Sequence, residues 1–317
     1  MITIIFQLSI LLAGFYRNQG VQETEPSDYI AGFDISSDDE YIVYSYLHEG
    51  KTSIRRYDFH KKEETVLISE SNTHFYTRPS YSPSENEVIF IDRYNDSLTD
   101  TNLLIIGVDG TIRRIPQHVK GVITDAIFSR YSKEILYIMA TGYTSYSPIG
   151  IKAFHKFDLY STDRSGSNTR KITQLNAYTM NGICELDSTS VALFLINGKH
   201  NGIFYLSKNN GKIHRVSPAN DPRTREIVSN NGRPSYSNPS LCLATNDLAF
   251  INIYELFVMS MENRQARSLH FSNRQIQDVK ILNSGKKIIF TKNNLPVFHI
   301  LNIEDKNVEV LDLEKVR

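Results

Sequence analysis

Two identical five-residue phrases carry the charged side chains best suited to bind a ligand. Arg-Pro-Ser-Tyr-Ser occurs at 78–82 and again at 233–237, so Arg78 and Arg233 occupy equivalent positions. Paired guanidinium groups can hold a carboxylate or a phosphate through two parallel hydrogen bonds. The alternative is structural, because an arginine in this position can equally bond carboxylates and carbonyls of a neighbouring part of the fold. The pattern predicts either an anion site or an internal ion pair.

No catalytic motif accompanies these arginines. The chain lacks the G-x-S-x-G turn of serine hydrolases, and its nine histidines form neither an HxH nor an HExxH pair. Cys184 and Cys242 belong to no CxxC or Cys/His metal spacing, and we predict two free, buried thiols. We therefore predict no catalytic residue, no metal ligand and no cofactor, and expect a protein that binds rather than an enzyme.

The segments that must position these residues belong to an internal repeat. Six aromatic residues each close an alternating apolar run, 40 to 57 residues apart, and such a period indicates a propeller or a solenoid. Nine positions earlier, five of the six repeats carry an apolar residue, and in the fourth Cys184 takes that place one residue before. The aromatics are Tyr44, Phe90, Tyr137, Phe194, Phe250 and Phe290.

Each repeat continues with two further strand-like runs. In the second repeat these are Asn102–Val108 and Thr111–Pro116, joined at Asp109-Gly110, which is a strong hairpin signal. The fifth repeat fits least well, because Leu248–Met261 is almost continuously apolar and has no Gly or Pro to mark its middle turn. Four strands in each of six units predict an all-β chain, folded as a six-bladed β-propeller with four antiparallel strands per blade.

The repeat also resembles a known family. The phrase Pro79-Ser80-Tyr81-Ser82-Pro83, followed by Val88-Ile89-Phe90 and Val108-Asp109-Gly110, is similar to the WD40-like (PD40) repeat of TolB-like six-bladed propellers. Ser284–Phe290 resembles the second half of that repeat, and the resemblance covers about Ile30 to Leu313. It implies the architecture. It does not imply one function, because such blades occur in periplasmic scaffold proteins, in prolyl-oligopeptidase-like enzymes and in some lyases.

Composition restricts the class of partner. The 35 basic and 35 acidic residues balance, which argues against a nucleic-acid partner and against a general membrane-surface role. Tryptophan is absent, whereas 18 tyrosines and 16 phenylalanines are spread over many short strands, as packing between blades requires.

The first 28 residues are predicted to lie outside the propeller. Ile2–Phe15 carries no charge, is too short for a stable membrane span and is typical of the apolar region of a signal peptide. No basic residue precedes it, so a buried N-terminal strand that closes the ring is the alternative. We predict a signal peptide over 1–15, a linker over 16–28 and one propeller domain over 29–317, and hence export to the periplasm or the cell exterior.

The predicted ligand site lies on one face of the propeller. The turns between second and third strands and the links between blades share this face, and three of them are long: 71–78, 140–154 and 218–233. Their tyrosines offer flat surfaces with a polar tip, and their arginines add a local positive field. The alternative is that these segments only seal the channel. The predicted site comprises Arg78, Arg233, His74, Tyr76, Tyr143, Tyr146 and Arg223.

Three hypotheses about function follow. The first is an exported, non-enzymatic propeller that presents this loop-rich channel face to a protein, peptide or glycan. The second is a metal-assisted lyase or other small-molecule enzyme at the channel mouth, since some lyases with such a propeller bind a metal through channel-face histidines. The histidines within reach of that face here are His74, His118, His155 and His200. The third is a structural domain of a larger envelope complex.

Overall fold

The computed structural model describes residues 28–83, 87–94, 99–107, 109–145, 152–198, 200–220 and 236–313. Within these ranges the chain is all-β, with no α-helix, and 24 strands form six four-stranded antiparallel sheets. Each sheet uses four strands that are consecutive in sequence and hydrogen-bonded in chain order. The predicted six-bladed β-propeller is thereby confirmed. None of the described segments forms a helix that is long and apolar enough to cross a membrane.

The strands are numbered in chain order, four to a blade. Blades 1 to 3 consist of β1 Tyr29–Ile35, β2 Tyr41–His48, β3 Lys51–Asp58, β4 Glu63–Ser71, β5 His74–Tyr81, β6 Val88–Tyr94, β7 Thr101–Ile106, β8 Ile112–Ile115, β9 Val122–Phe128, β10 Glu134–Thr144, β11 Ala153–Asp163 and β12 Arg170–Lys171. Blades 4 to 6 consist of β13 Thr179–Asp187, β14 Ser190–Asn197, β15 His200–Ser207, β16 Ile213–Arg215, β17 Ser237–Cys242, β18 Asp247–Asn252, β19 Glu255–Ser260, β20 Ala266–Phe271, β21 Ile276–Ile281, β22 Lys287–Lys292, β23 Val297–Asn302 and β24 Val308–Asp312.

The repeat aromatics hold the blades together. All six lie on the second strand of their blade and are almost completely buried. The apolar positions nine residues earlier lie at the ends of the first strands, which surround the channel. Successive side chains of a strand point to opposite faces, and each face of these inner strands packs against a neighbouring blade. Each blade therefore shares its core with the next.

The ring closes by packing of blade 6 against blade 1. The aromatic side chain of Phe298 contacts those of Phe33 and Tyr44 edge-on; its centroid lies 5.1 Å from the Phe33 centroid and 5.4 Å from the Tyr44 centroid. Asp39 in blade 1 also accepts hydrogen bonds from the backbone N–H groups of Asn283 and Ser284, both at 2.8 Å. In the part of the chain that the structure describes, both blades contain four consecutive strands, and apolar contact and side-chain hydrogen bonds join them. This junction is called the seam below.

Two local features differ from the sequence-based expectation. The middle turn of the fifth repeat falls at Ile253-Tyr254, where Ile253 has φ 56°, an uncommon conformation for a β-branched residue. In blade 3 the predicted 140–154 loop is partly a hairpin, because β10 continues to Thr144 and Tyr143 pairs with Phe154 on β11. The predicted signal peptide and almost all of the predicted linker lie outside the described residues.

The channel has two ends, which we name by the connections around them. The link face carries the blade-to-blade links and the turns between second and third strands, and it includes His74 and Tyr94. The turn face carries the turns between first and second strands, such as 36–40 and 129–133.

Candidate functional site

Arg78 lies in the channel and forms an internal ion pair. Its Nη1 donates to Oδ2 of Asp278 on β21 at 3.1 Å, across a separation of 200 residues. Arg78 has φ 52°, and Gly32 of blade 1 provides the space beside it, since a Cβ at Gly32 would lie 3.3 Å from the Arg78 Cα. The contact joins blade 2 to blade 6. The arginine therefore adopts the ion-pair arrangement that was the structural alternative in the sequence.

A second ion pair lies beside the first. Lys280 Nζ of blade 6 lies 3.0 Å from Asp34 Oδ1 of blade 1, while Asp34 Oδ2 accepts hydrogen bonds from Ser80 Oγ at 2.8 Å and from the Tyr81 N–H at 3.0 Å. Burial alone would raise the pKa of Asp34, but the Lys280 charge and these donors hold the pKa below its ordinary value. Burial would likewise lower the pKa of Lys280, but Asp34 and Asp278 raise it.

These groups belong to a narrow layer across the channel. Asp125 Oδ2 accepts the backbone N–H groups of Gly182 and Ile183 at 2.7 and 3.0 Å. Asn238 Nδ2 donates to Oδ1 of Asp278 at 3.3 Å. Burial raises the pKa of Asp278, and the Arg78 charge opposes that rise. The layer leaves a cavity of about 30 Å³, which holds no more than a few water molecules.

On the turn side of this layer the channel widens. A cavity of about 380 Å³ is lined by the ends of the first strands from all six blades. Its polar lining includes Lys280, Arg130, Cys184, Ser240 and Glu185. The volume falls within the range of small-molecule sites in proteins. Sequence analysis had placed the site at the link face and did not single out this end of the channel.

On the link face, blade 2 carries an aromatic cluster with a buried carboxylate behind it. His74 Nδ1 lies 2.8 Å from Oδ1 of Asp92, which is buried. The His74 ring stacks on Tyr76 at 6.0 Å and contacts Tyr94 at 4.6 Å, and Tyr94 is exposed. Asn102 Nδ2 lies 3.5 Å from the other Asp92 oxygen. The buried carboxylate fixes the orientation of an imidazole whose neighbours are two tyrosine rings. We call His74, Tyr76 and Tyr94 the aromatic cluster.

The structure brings only part of the predicted site together. His74 and Tyr76 are in contact, whereas Arg78 lies deeper in the channel, and Tyr143 packs on Phe154 in the blade 3 hairpin at 4.8 Å. Tyr146, Arg223 and Arg233 lie outside the described residues.

Sequence reasoning missed Asp92, Tyr94, Asp278 and Lys280. An alignment of the six first strands would have shown that Asp125 and Asp278 occupy similar channel positions. The residues that end β6 carried no comparable signal.

The two thiols differ in burial, and no metal-binding cluster is found among the described residues. Both cysteines are free, as predicted; Cys242 is buried, whereas Cys184 is only partly buried and lines the wide cavity. Within the described ranges, no three His, Cys, Asp or Glu side chains are grouped so that they could hold a metal ion.

Comparison with known proteins identifies the fold. No family model matches the chain, and no curated protein matches it. Among solved structures, a TolB protein from Agrobacterium tumefaciens is 13% identical with a TM-score of 0.61, over 82% of this chain and 88% of that one. TolB from Acinetobacter baumannii is 16% identical with a TM-score of 0.55, over 75% of this chain but only 53% of that longer one. The fold of this chain is therefore similar to that of TolB propellers.

Other propellers of the same fold have different descriptions. An oligogalacturonate lyase in complex with manganese is 11% identical with a TM-score of 0.57, over 89% of this chain and 76% of that one. A chain from the crystal structure of a nidogen/laminin complex is 8% identical with a TM-score of 0.61, over 91% of this chain and 94% of that one. Identities this low show a shared architecture alone, so function has to be argued from the residues of this chain.

Proposed function

We propose that the chain is an exported binding propeller that presents its link face to a protein, peptide or glycan partner. The observation that carries this proposal is the aromatic cluster, in which two tyrosine rings flank His74 and a buried Asp92 holds the imidazole. Tyrosines on a rigid support lose little conformational entropy when they are covered, which is why they are frequent at the energetic centres of interfaces.

The remaining predicted residues extend the proposed surface. Tyr143 lies in the blade 3 hairpin that rises on the same face. Tyr146, Arg223 and Arg233 belong to the same long segments, and the arginines would favour a partner with an anionic group. Export is proposed from the apolar run Ile2–Phe15 and from the sequence resemblance to periplasmic propellers. A propeller of this fold in a nidogen/laminin complex supports a role in protein association.

A double variant on the link face and a tyrosine control on the turn face test the proposal. The tagged full-length chain is expressed in its own host and cross-linked, and its partners are identified by mass spectrometry. Tyr94→Ser combined with His74→Ala removes the exposed part of the cluster, whereas Tyr131→Ser removes an exposed tyrosine from the turn face. We expect the double variant to lose at least tenfold in partner recovery and Tyr131→Ser to behave like the parent. Equal recovery with a double variant of unchanged melting temperature would exclude the link face.

Two further measurements address export and the enzymatic alternative. If the chain is exported, protein recovered from the periplasm or the medium should lack Met1 and begin after residue 12 to 15, whereas retention of Met1 in a cytosolic protein would contradict export. Metal analysis of the purified chain separates a binding protein from a metal-assisted lyase. A stoichiometric transition metal that is lost on substitution of the link-face histidines would favour the lyase.

A further inference from the structure

In the wide cavity at the turn face, both carboxylates are already fully engaged. Asp34 contacts Lys280 Nζ and accepts from Ser80 Oγ and the Tyr81 N–H. Glu185 accepts from Ser129 Oγ at 2.8 Å, from the Arg130 N–H at 2.6 Å and from Lys208 Nζ at 2.6 Å. A carboxylate that already has three donors, one of them a cation, has little capacity for a ligand cation.

The cationic groups of the same cavity retain free donors. The exposed Arg130 guanidinium, with five N–H groups, makes no side-chain hydrogen bond or ion pair with any residue that the structure describes. The Lys280 ammonium has three N–H groups, and its recorded ion pair is the one with Asp34. Ser240 Oγ accepts the Ile281 N–H at 3.1 Å, so its own hydroxyl hydrogen is available to donate. The cavity therefore offers cationic donors, whereas both of its carboxylates are occupied by donors of the chain.

We propose that this cavity binds a small organic anion, bearing a carboxylate or a phosphate, with its charged group held by Arg130 and Lys280. The volume of about 380 Å³ suits a small metabolite rather than a folded domain. A planar guanidinium at the mouth can hold either oxyanion through two hydrogen bonds. The narrow layer of Arg78, Asp125, Asn238 and Asp278 closes the inner end, so the ligand enters and leaves at the turn face.

Cys184 supplies a reporter inside the proposed site. Cys184 lines the cavity and is partly buried, whereas Cys242 is completely buried and serves as an internal control. Arg130 and Lys280 both lie close enough to Cys184 to act on its charge, which places the thiol beside the two cations. Burial raises the pKa of the Cys184 thiol, so we expect its alkylation without ligand to be slow, and the reaction is followed over hours.

The experiment measures alkylation of Cys184 by iodoacetamide in the full chain, followed by peptide mass spectrometry. Succinate, inorganic phosphate and 1,4-diaminobutane are compared at equal ionic strength set with sodium chloride. We expect at least one anion to slow alkylation severalfold and the diamine to have no effect. The preferred anion identifies the carboxylate or the phosphate class. Thermal unfolding with the same compounds provides a second readout that does not depend on the thiol, with a rise in melting temperature for the anion alone.

Two arginine variants decide the assignment. Arg130→Gln should raise the half-saturating anion concentration about tenfold, as the loss of a charge-assisted hydrogen bond implies. Arg114→Gln changes an exposed arginine on β8, the outermost strand of blade 2, and should leave that concentration unchanged. The proposal is overturned if neither anion changes either readout, if the diamine protects equally, or if Arg130→Gln binds like the parent. Because this site lies opposite the link face, its outcome is independent of the partner-binding test.

Discussion

The interface between blades 5 and 6 contains two histidines whose pKa values are lowered by burial. His299 on β23 is 6% exposed and stacks on Phe290 with centroids 5.0 Å apart, and His270 on β20 contacts Phe290 from blade 5 at 5.4 Å. Nδ1 of His299 and Nε2 of His270 are buried, and neither has a hydrogen-bond partner in the described part of the chain. Burial, together with the nearby Lys292 charge, lowers the pKa of His299 from 6.5 to about 4.

This lowered pKa predicts a loss of stability in acid. The folded chain keeps the imidazole neutral, so the unfolded chain binds more protons, and a fall in pH favours unfolding. The stabilising contribution is complete above about pH 6.5 and is lost as the pH falls toward 4. A shift of this size corresponds to about 3 kcal/mol at its limit, of which about 2 kcal/mol is lost between pH 7 and pH 5.

Urea unfolding of the parent and of His299→Leu at pH 7 and pH 5 measures this contribution. The leucine fills a similar volume and cannot titrate, so the loss of unfolding free energy between the two pH values should be smaller in the variant by about 2 kcal/mol. His60→Gln, at an exposed histidine, is the control and should retain the full pH dependence of the parent. Identical pH dependence in the parent and in a folded His299→Leu would refute the reasoning.

Three further predictions concern the seam and the channel. Phe298→Ala should lower the free energy of unfolding by about 3–5 kcal/mol in urea titrations, whereas Phe271→Ala, at a side chain that is 73% exposed, should change it by about 0.5 kcal/mol or less. Arg78→Ala should cost about 1–3 kcal/mol because it leaves the Asp278 carboxylate unpaired; an unchanged melting temperature would disprove the structural role of the ion pair. Gly32→Ala should cost about 1 kcal/mol or more, since φ is +136° and the new Cβ would lie 3.3 Å from Arg78; calorimetry that shows no loss would contradict the strain.

The fold was predictable because the sequence of each repeat contains local signals for its strands and turns. Aromatic-ended apolar runs such as the one that ends at Phe90, and turns such as Asp109-Gly110, specify strands and hairpins without reference to distant residues. The prediction was weakest where local signals are absent. Neither Gly nor Pro in Leu248–Met261 marks the turn at Ile253-Tyr254, where Ile253 adopts a left-handed conformation that a β-branched residue disfavours.

The candidate site was only partly predictable because its contacts are long-range. His74 and Tyr76 were found from a long polar segment, but Tyr94 joins them only through the pairing of β5 with β6. The Arg78–Asp278 pair spans 200 residues and depends on the closure of the ring. The sequence around Arg78 is identical to the sequence around Arg233, so it could not indicate that Arg78 pairs with Asp278.

The two channel ion pairs connect blade 6 with blades 1 and 2. Lys280 of blade 6 contacts Asp34 of blade 1 directly across the seam. Arg78 of blade 2 contacts Asp278 of blade 6, so this pair also joins residues on opposite sides of the seam. Removing one partner of a partly buried pair leaves an uncompensated charge in the channel, which is costly even though the net contribution of the intact pair is small. Substitutions in this layer therefore report mainly on ring closure. Tyr94 on the link face and Arg130 on the turn face lie outside the layer, and variants at these two positions can separate binding at either end of the channel from the stability of the propeller.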